Sequence, residues 1–269
     1  MDEQYNELTE SIEQLGRRGF QLIQSRDGYR YGEDTVLLSH FASLQLVGRK
    51  RMVRAVELGA NNGVASLLLL ARRPNFRIIA IEKQRKAFEL LVRNVNLNQQ
   101  NQSIVPVLGD VREIKNMSEV TAAESDFCFC NPPYFRTGSG PVPSRELNKD
   151  RLESRFEIHG ALEDFLSAAA YVLRFGGIYV MVLRAGRLAE TCELMRKHKI
   201  EPTQVRFIHP DVTRPATAFL ICGKKSSAPG GFKVLPPLIL RGTDGQICEE
   251  LNAIYNRPAI KSQPSKTQL

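Results

Sequence analysis

Apolar positions along this chain follow two rhythms, and the rhythms alternate. VRAVEL (53–58), RIIAIE (77–82), SIVPVLGD (103–110), DFCFC (126–130) and IYVMVL (178–183) are short, nearly continuous apolar runs. They have the length and the β-branched or aromatic content of buried strands. Between them lie VASLLLLARR (64–73), KQRKAFELLVRNVNLN (83–98), ALEDFLSAAAYVLRFGG (161–177) and RLAETCELMRKHK (187–199). These read as helices: Phe88, Leu91, Val92 and Val95 recur at helical spacing, and the third run meets a glycine stop. TQVRFIHP (203–210) and ATAFLICGK (216–224) close the series as two more strands. Strand and helix in alternation predict an α/β fold with a mostly parallel, seven-stranded sheet and helices on both faces. The last two strands form an antiparallel pair.

The flanks are more polar. Residues 1–19 read as an N-terminal extension with a loose amphipathic helix, 20–255 as the folded domain, and 256–269 as a disordered polar tail. KKSSAPGG (224–231) is a hinge, FKVLPPLIL (232–240) an extended edge segment and EELNAIY (249–255) a short helix.

Composition narrows the setting. The 269 residues are 42% hydrophobic, enough for one large core. No window approaches the roughly 18–20 apolar residues of a membrane helix. The start, MDEQYNELTESIEQLG, lacks the basic and apolar regions of an export signal, so a cytoplasmic location is expected. Five cysteines, an odd number, fit a reducing compartment. Cys128 and Cys130 are too close for a C-x-x-C knuckle, so no metal is expected. A net charge of +8 suits a polyanionic partner, or simply a basic solvated surface. The basic residues concentrate at 48–54, 72–77 and 145–155.

Candidate chemistry sits at the strand ends. In open α/β sheets, ligands lie beyond the carboxyl ends of the strands. After the first strand comes ELGANNG (57–63), with Glu57, Gly59, Asn61 and Gly63. Its glycines let backbone approach a ligand, though a plain tight turn has the same composition. Glu82, followed by Lys83, ends the second strand and suits the two ribose hydroxyls of a nucleoside; a helix-capping carboxylate is the alternative. Asp110, followed by Val111, ends the third strand and suits an adenine amino group; an ordinary turn aspartate is the alternative. The fourth strand stops at Asn131-Pro132-Pro133-Tyr134.

That order of glycine loop, two acids and NPPY resembles the class I S-adenosylmethionine-dependent methyltransferases that act on planar amino nitrogens. The resemblance implies the Rossmann-like fold, S-adenosylmethionine as cofactor, and catalytic roles for Asn131, Pro132 and Tyr134. The Asn131 side-chain oxygen and the rigidly held Pro132 carbonyl would accept from the two N–H bonds of the target amine. The Tyr134 ring would stack on the base.

Further segments resemble a bacterial group that methylates N6 of adenine 37 in tRNA1(Val): YRYGEDTVLLSHFA (29–42), SRFEIHGALEDFL (154–166), RFIHP (206–210) with RPATAFLI (214–221), and the closing PPLIL and DGQICEELNAIY. The likeness spans roughly 20–255. It departs at Asn61, where the group has glycine, and at Phe156, where it has histidine. The expected partner is the anticodon loop of tRNA; the sequence does not give the oligomeric state, a monomer being one option. Tyr31 and Thr35 are expected near the methionine part of the cofactor, although the same segment reads equally as a buried amphipathic helix. The basic loop 136–155 reads as a lid. Pro133, Phe135, Arg136, Arg151 and Arg155 are the candidate substrate contacts, the arginines meeting phosphates. NPPY also occurs in protein glutamine N5-methyltransferases. Those carry a separate N-terminal helical domain, for which about fifty residues before the first strand are too few. An rRNA or DNA amino-methyltransferase is a further alternative.

Overall fold

The computed structural model describes residues 6–26, 30–46, 48, 50–133 and 161–256. An N-terminal hairpin, β1 (Glu10–Gln14) and β2 (Gln21–Ser25), precedes α1 (Glu33–Leu44). Then come β3 (Val53–Leu58), α2 (Val64–Arg72), β4 (Phe76–Glu82), α3 (Arg85–Leu97), β5 (Ile104–Leu108) and β6 (Ser125–Cys130). The second half holds α4 (Leu162–Val172), β7 (Leu173–Arg184), α5 (Leu188–Lys197), β8 (Ile200–His209) and β9 (Ala218–Lys225). Two short strands, β10 (Lys233–Val234) and β11 (Leu238–Ile239), lead to α6 (Glu249–Ile254).

The main sheet runs β5-β4-β3-β6-β7-β9-β8. β3 to β7 are parallel, and β9 runs antiparallel between β7 and β8. This is the expected seven-stranded α/β sheet. β10 and β11 lengthen it by pairing parallel with β8.

Both faces are covered, which is why the strands read as continuous apolar runs. β6 shows how the alternation is used. Phe127 and Phe129 face one core, with Leu37 of α1, Leu67 of α2 and Leu91 of α3. Cys128 and Cys130 face the other, with Leu166 of α4 and Met195 of α5. All four β6 side chains are fully buried. The Phe127 ring meets Phe76 edge-on with centroids 5.7 Å apart. The two cysteines pack as small neutral side chains; burial pushes the Cys130 thiol up to about 12, and its sulfur lies 2.9 Å from the Tyr179 hydroxyl.

Two expectations need correction. Residues 10–14 are a strand, not part of an amphipathic helix: they pair antiparallel with 21–25, from Glu10 opposite Ser25 to Gln14 opposite Gln21. The turn is made by Gly16, Arg18 and Gly19, all with positive φ, and such backbone ends any helix. The hairpin therefore straddles position 19/20. The helix α4 also ends at Val172, before the glycines at 176–177. Leu173 already pairs with Ser125, and the register shifts there to absorb the extra residues.

The hairpin is held to α3 by asparagines. The buried Asn94 accepts from the Ile23 N–H at 2.6 Å and donates to both the Ile23 carbonyl and the Asn62 carbonyl at 3.0 Å. Asn98 does the same for Gln21, accepting from its N–H at 2.8 Å and donating to its carbonyl at 2.7 Å. Each amide behaves like one residue of a neighbouring strand. Asn94→Ala leaves three backbone groups of Ile23 and Asn62 without this partner, so stability should fall by roughly 2–4 kcal/mol. Urea denaturation followed by circular dichroism measures this. A loss within about 0.5 kcal/mol, the range of ordinary surface changes, would show that the hairpin does not depend on Asn94.

Candidate active site

The carboxyl ends of β3, β4, β5 and β6 open onto one cleft. Its walls include Thr35, Glu57, Gly59, Asn61, Glu82, Lys83, Val111, Asn131, Pro132 and Pro133. Residues dispersed over a hundred positions thus meet because the parallel strands stop level with one another.

The loop after β3 needs its glycines. Gly59 has φ +71°, and a Cβ there would lie 3.2 Å from the Phe165 ring of α4. Gly63 has φ +82°, and a Cβ would meet the Leu91 side chain at 2.4 Å. Asn61 also lies in the left-handed region, at φ 49°. Asparagine tolerates that region better than most residues, and its Oδ1 accepts from the Asn62 N–H at 2.8 Å. The substitution is accommodated locally, and the backbone of the loop keeps its turn.

Glu82 joins that loop to β4. One carboxylate oxygen accepts from the Asn61 N–H at 2.8 Å, the other from the Gln84 N–H at 2.7 Å. The ladder continues past the strand ends, with the Ala60 N–H on the Ile81 carbonyl at 2.8 Å and the Gly109 N–H on the Glu82 carbonyl at 2.9 Å. Both oxygens of the Glu82 carboxylate are thus engaged by backbone donors at the rim of the cleft. Glu57 is 3% exposed, and the Ser66 hydroxyl donates to its carboxyl. Burial pushes its pKa up to about 8 against the opposing pull of Ser66, and the nearby Glu82 charge adds to the rise.

Asp110 sits differently from Glu82. Gly109 and Val111, on either side, line the cleft. The Asp110 carboxylate turns to cations: the Arg112 guanidinium, the Arg112 N–H at 3.0 Å and the Lys83 ammonium at 2.9 Å. Partial burial pushes this carboxyl up, but the bonds from Arg112 and Lys83 outweigh it and hold it well below the usual carboxylate range. Lys83, which lines the cleft, thus has an ionic partner.

Asn131 leaves β6 directly into the cleft. Its Nδ2 donates to the Thr35 hydroxyl at 3.0 Å. Thr35 lies in the first turn of α1 and is 3% exposed. Tyr31, four residues earlier, packs against the core, and its N–H donates to Gln24 Oε1 at 3.2 Å. Tyr134, Phe135, Arg136, Arg151, Arg155 and the whole loop 136–155 lie outside the described residues. The walls also hold Ala60, Val64, Ala65, Ile81, Gln84 and Phe165, none of which the sequence singled out. Phe165 looks like any core position of an amphipathic helix. Its only distinguishing signal is Gly59, more than a hundred positions away.

The site can hold a nucleoside-sized ligand. It offers backbone free of a side chain at Gly59, a carboxylate at the end of β4 and a polar amide at the end of β6, whereas Gly63 faces Leu91 and is not among the lining residues.

Comparison with known proteins bears on the fold. Residues 28–124 match the model of the TRM5/TYW2 methyltransferase domain. A tRNA1(Val) (adenine(37)-N6)-methyltransferase of Pedobacter heparinus is 23% identical over 212 residues, which are 78% of this chain and 83% of that protein. A U6 small nuclear RNA (adenine-(43)-N(6))-methyltransferase of Caenorhabditis elegans is 27% identical over 173 residues. That match takes in 57% of this chain and only 36% of the nematode protein. Among solved structures, TYW2 of M. jannaschii in complex with AdoMet superposes with a TM-score of 0.54 at 15% identity, covering 82% of this chain and 87% of the other. The fold is therefore that of the class I methyltransferases.

Glu57 gives the stability of the protein a pH signature. Its folded-state pKa, about 8, lies above its ordinary 4.5, so the folded chain holds the proton more tightly than the unfolded chain. This contribution is fully present below the ordinary value and is lost as pH rises through the folded one. Stability should fall between about pH 5 and pH 9, and Glu57→Gln should flatten that fall. Urea midpoints across the range measure it. Parallel curves for the parent and Glu57→Gln would show that Glu57 titrates normally.

Proposed function

We propose that this chain is an S-adenosylmethionine-dependent methyltransferase that methylates N6 of an unpaired adenine in tRNA, with adenine 37 of tRNA1(Val) as its site. The observation that carries the proposal is the convergence of Asn131, Pro132 and Pro133 on the cleft that also holds Gly59, Asn61 and Glu82. The loop and Glu82 would hold a nucleoside cofactor, and Asn131 and Pro132 would present acceptors to a planar amine. The relatives with adenine-N6 activity on tRNA and U6 RNA support an RNA substrate. A tRNA substrate fits the cytoplasmic location expected of the chain.

S-adenosylmethionine, when bound, supplies the methyl group and its own leaving group. The remaining work falls to the chain. Glu82 would take the ribose hydroxyls, the Gly59–Gly63 backbone would bring the cofactor close, and Gly109 and Val111 would flank its base. An exocyclic adenine nitrogen is a weak nucleophile, because its lone pair is delocalised into the ring. The Asn131 oxygen and the Pro132 carbonyl would accept its two N–H bonds and favour the pyramidal nitrogen that attacks. The prolines hold that carbonyl still, since each fixes a φ angle. Tyr134 would stack on the base once it is turned out of the loop, a step that is inexpensive for an unpaired nucleotide. Asp110 is held by Arg112 and Lys83, and any contact it makes with the cofactor adenine requires it to share them.

Tritiated methyl transfer to bulk tRNA and rRNA, followed by nucleoside analysis, tests the reading directly. The product should be N6-methyladenosine in tRNA. A product methylated on a ring carbon or ribose oxygen, or a methylated glutamine in a protein fraction, would replace it. Asn131→Ala should lower kcat by roughly a hundredfold or more, while S-adenosylmethionine affinity stays unchanged. Near-normal turnover in that variant would remove Asn131 from the chemistry. Glu82→Ala should weaken S-adenosylmethionine by roughly 1.5–3 kcal/mol, read by isothermal titration calorimetry. Full affinity would place the ribose elsewhere.

A further inference from the structure

We infer that Thr35 is a positioning residue for the methyl-transfer step: its hydroxyl fixes the plane of the Asn131 amide, so that a target amine that only donates meets the amide oxygen in a set orientation. The inference rests on the proposed reaction and assigns a role to a residue that the sequence suggested only as a cofactor contact.

The need for such a residue follows from the chemistry of an amide. Its two ends are nearly the same size and shape, yet one accepts and the other donates. An adenine N6 amine turned toward Asn131 offers only N–H donors on its bonded edge. An amide with its nitrogen in that direction would oppose donor to donor. An amide free to rotate about its last bond would also have to be ordered again in every turnover.

The structure supplies the restraint. Asn131 Nδ2 lies 3.0 Å from Thr35 Oγ1. Both residues line the cleft. Thr35 cannot drift, because α1 is anchored on both sides of it. The Thr35 N–H bonds back to the Gly32 carbonyl at 3.2 Å. The next residues, Val36, Leu37 and Leu38, are buried in the core at 4%, 1% and 0% exposure. The hydroxyl is thus fixed to the rigid body of the fold. With the nitrogen end on Thr35, the oxygen end is the one turned the other way. A hydroxyl can also donate, so Thr35 alone would tolerate either flip; a target that only donates then selects the one observed. Thr35 sets the plane, and the substrate sets the sense.

Thr35→Val keeps the shape of the side chain and removes the oxygen. It should lower kcat roughly tenfold to a hundredfold, the scale of misplacing a reacting partner, with the tRNA KM and the S-adenosylmethionine Kd within about twofold of the parent. Thr35→Ser retains a hydroxyl and should recover most of the rate. A merely structural role would not give this split, and thermal unfolding of both variants checks that they fold. A second readout needs neither cofactor nor RNA. In 15N-labelled protein, the side-chain NH2 pair of Asn131, located by its loss in Asn131→Ala, should shift and exchange faster in Thr35→Val but not in Thr35→Ser. An unaltered NH2 pair or an unaltered kcat in Thr35→Val would overturn the inference. A fall in cofactor affinity that accounts for the lost rate would instead make Thr35 a cofactor contact. If the parent transfers no methyl group to RNA, the proposed function fails, while the amide resonances still decide whether Thr35 holds Asn131.

Discussion

One register organises the cleft. Leu58, the last residue of β3, lies opposite Ile81 of β4 on one side and Cys130 of β6 on the other. The residues that follow those three positions are Gly59, Glu82 and Asn131, and all three line the cleft. A slip of one residue in either pairing would exchange the two faces of the strand and carry a functional residue into a core. The slip is blocked by burial, because the alternating residues of β3 and β6 belong to two different apolar clusters. The hydrophobic packing of the sheet and the geometry of the site are therefore one constraint.

Polar bonds then refine what packing makes approximate. Glu82 ties the loop after β3 to the end of β4 through the Asn61 N–H. Asn94 ties the same loop to the N-terminal hairpin through the Asn62 carbonyl. The loop at the rim of the cleft is thus held from both sides by buried polar groups. Such groups are costly when left unsatisfied, and this gives the loop a single conformation rather than a range of them.

The strands and their ends were legible in the sequence because they depend on local pattern. VRAVEL, RIIAIE and DFCFC carry their burial within six residues, and Glu82 and Asn131 are legible as the residues at which apolar runs stop. The hairpin was not legible, since TESIEQ has too little alternation to separate strand from helix. Its identity comes from Asn94 and Asn98, more than seventy positions away. Phe165 escaped for the same reason, since it acts through its contact with the distant Gly59, and Thr35 was legible as a site residue while its bond to Asn131 was not. Asp110 is the instructive case. Its position at a strand end was evident, but the orientation of its carboxylate depends on Arg112 and on Lys83, itself a candidate cofactor contact, and no local pattern shows that they turn to it.

The choice of asparagine rather than aspartate at position 131 follows from what the cleft already contains. Glu57 and Glu82 both line it, and their mutual repulsion already contributes to the raised pKa of Glu57. A third carboxylate would compete with them for the proton, and its acceptor strength would then vary with pH. An amide oxygen accepts at every pH. It pays for that constancy with asymmetry, because a carboxylate presents the same face after a half-turn and an amide does not. Asparagine at 131 therefore requires a neighbour that holds its plane, and the first turn of α1 provides one. The apolar run that begins at Val36 sets where that turn lies, so the hydrophobic core determines where the hydroxyl that holds the Asn131 amide stands.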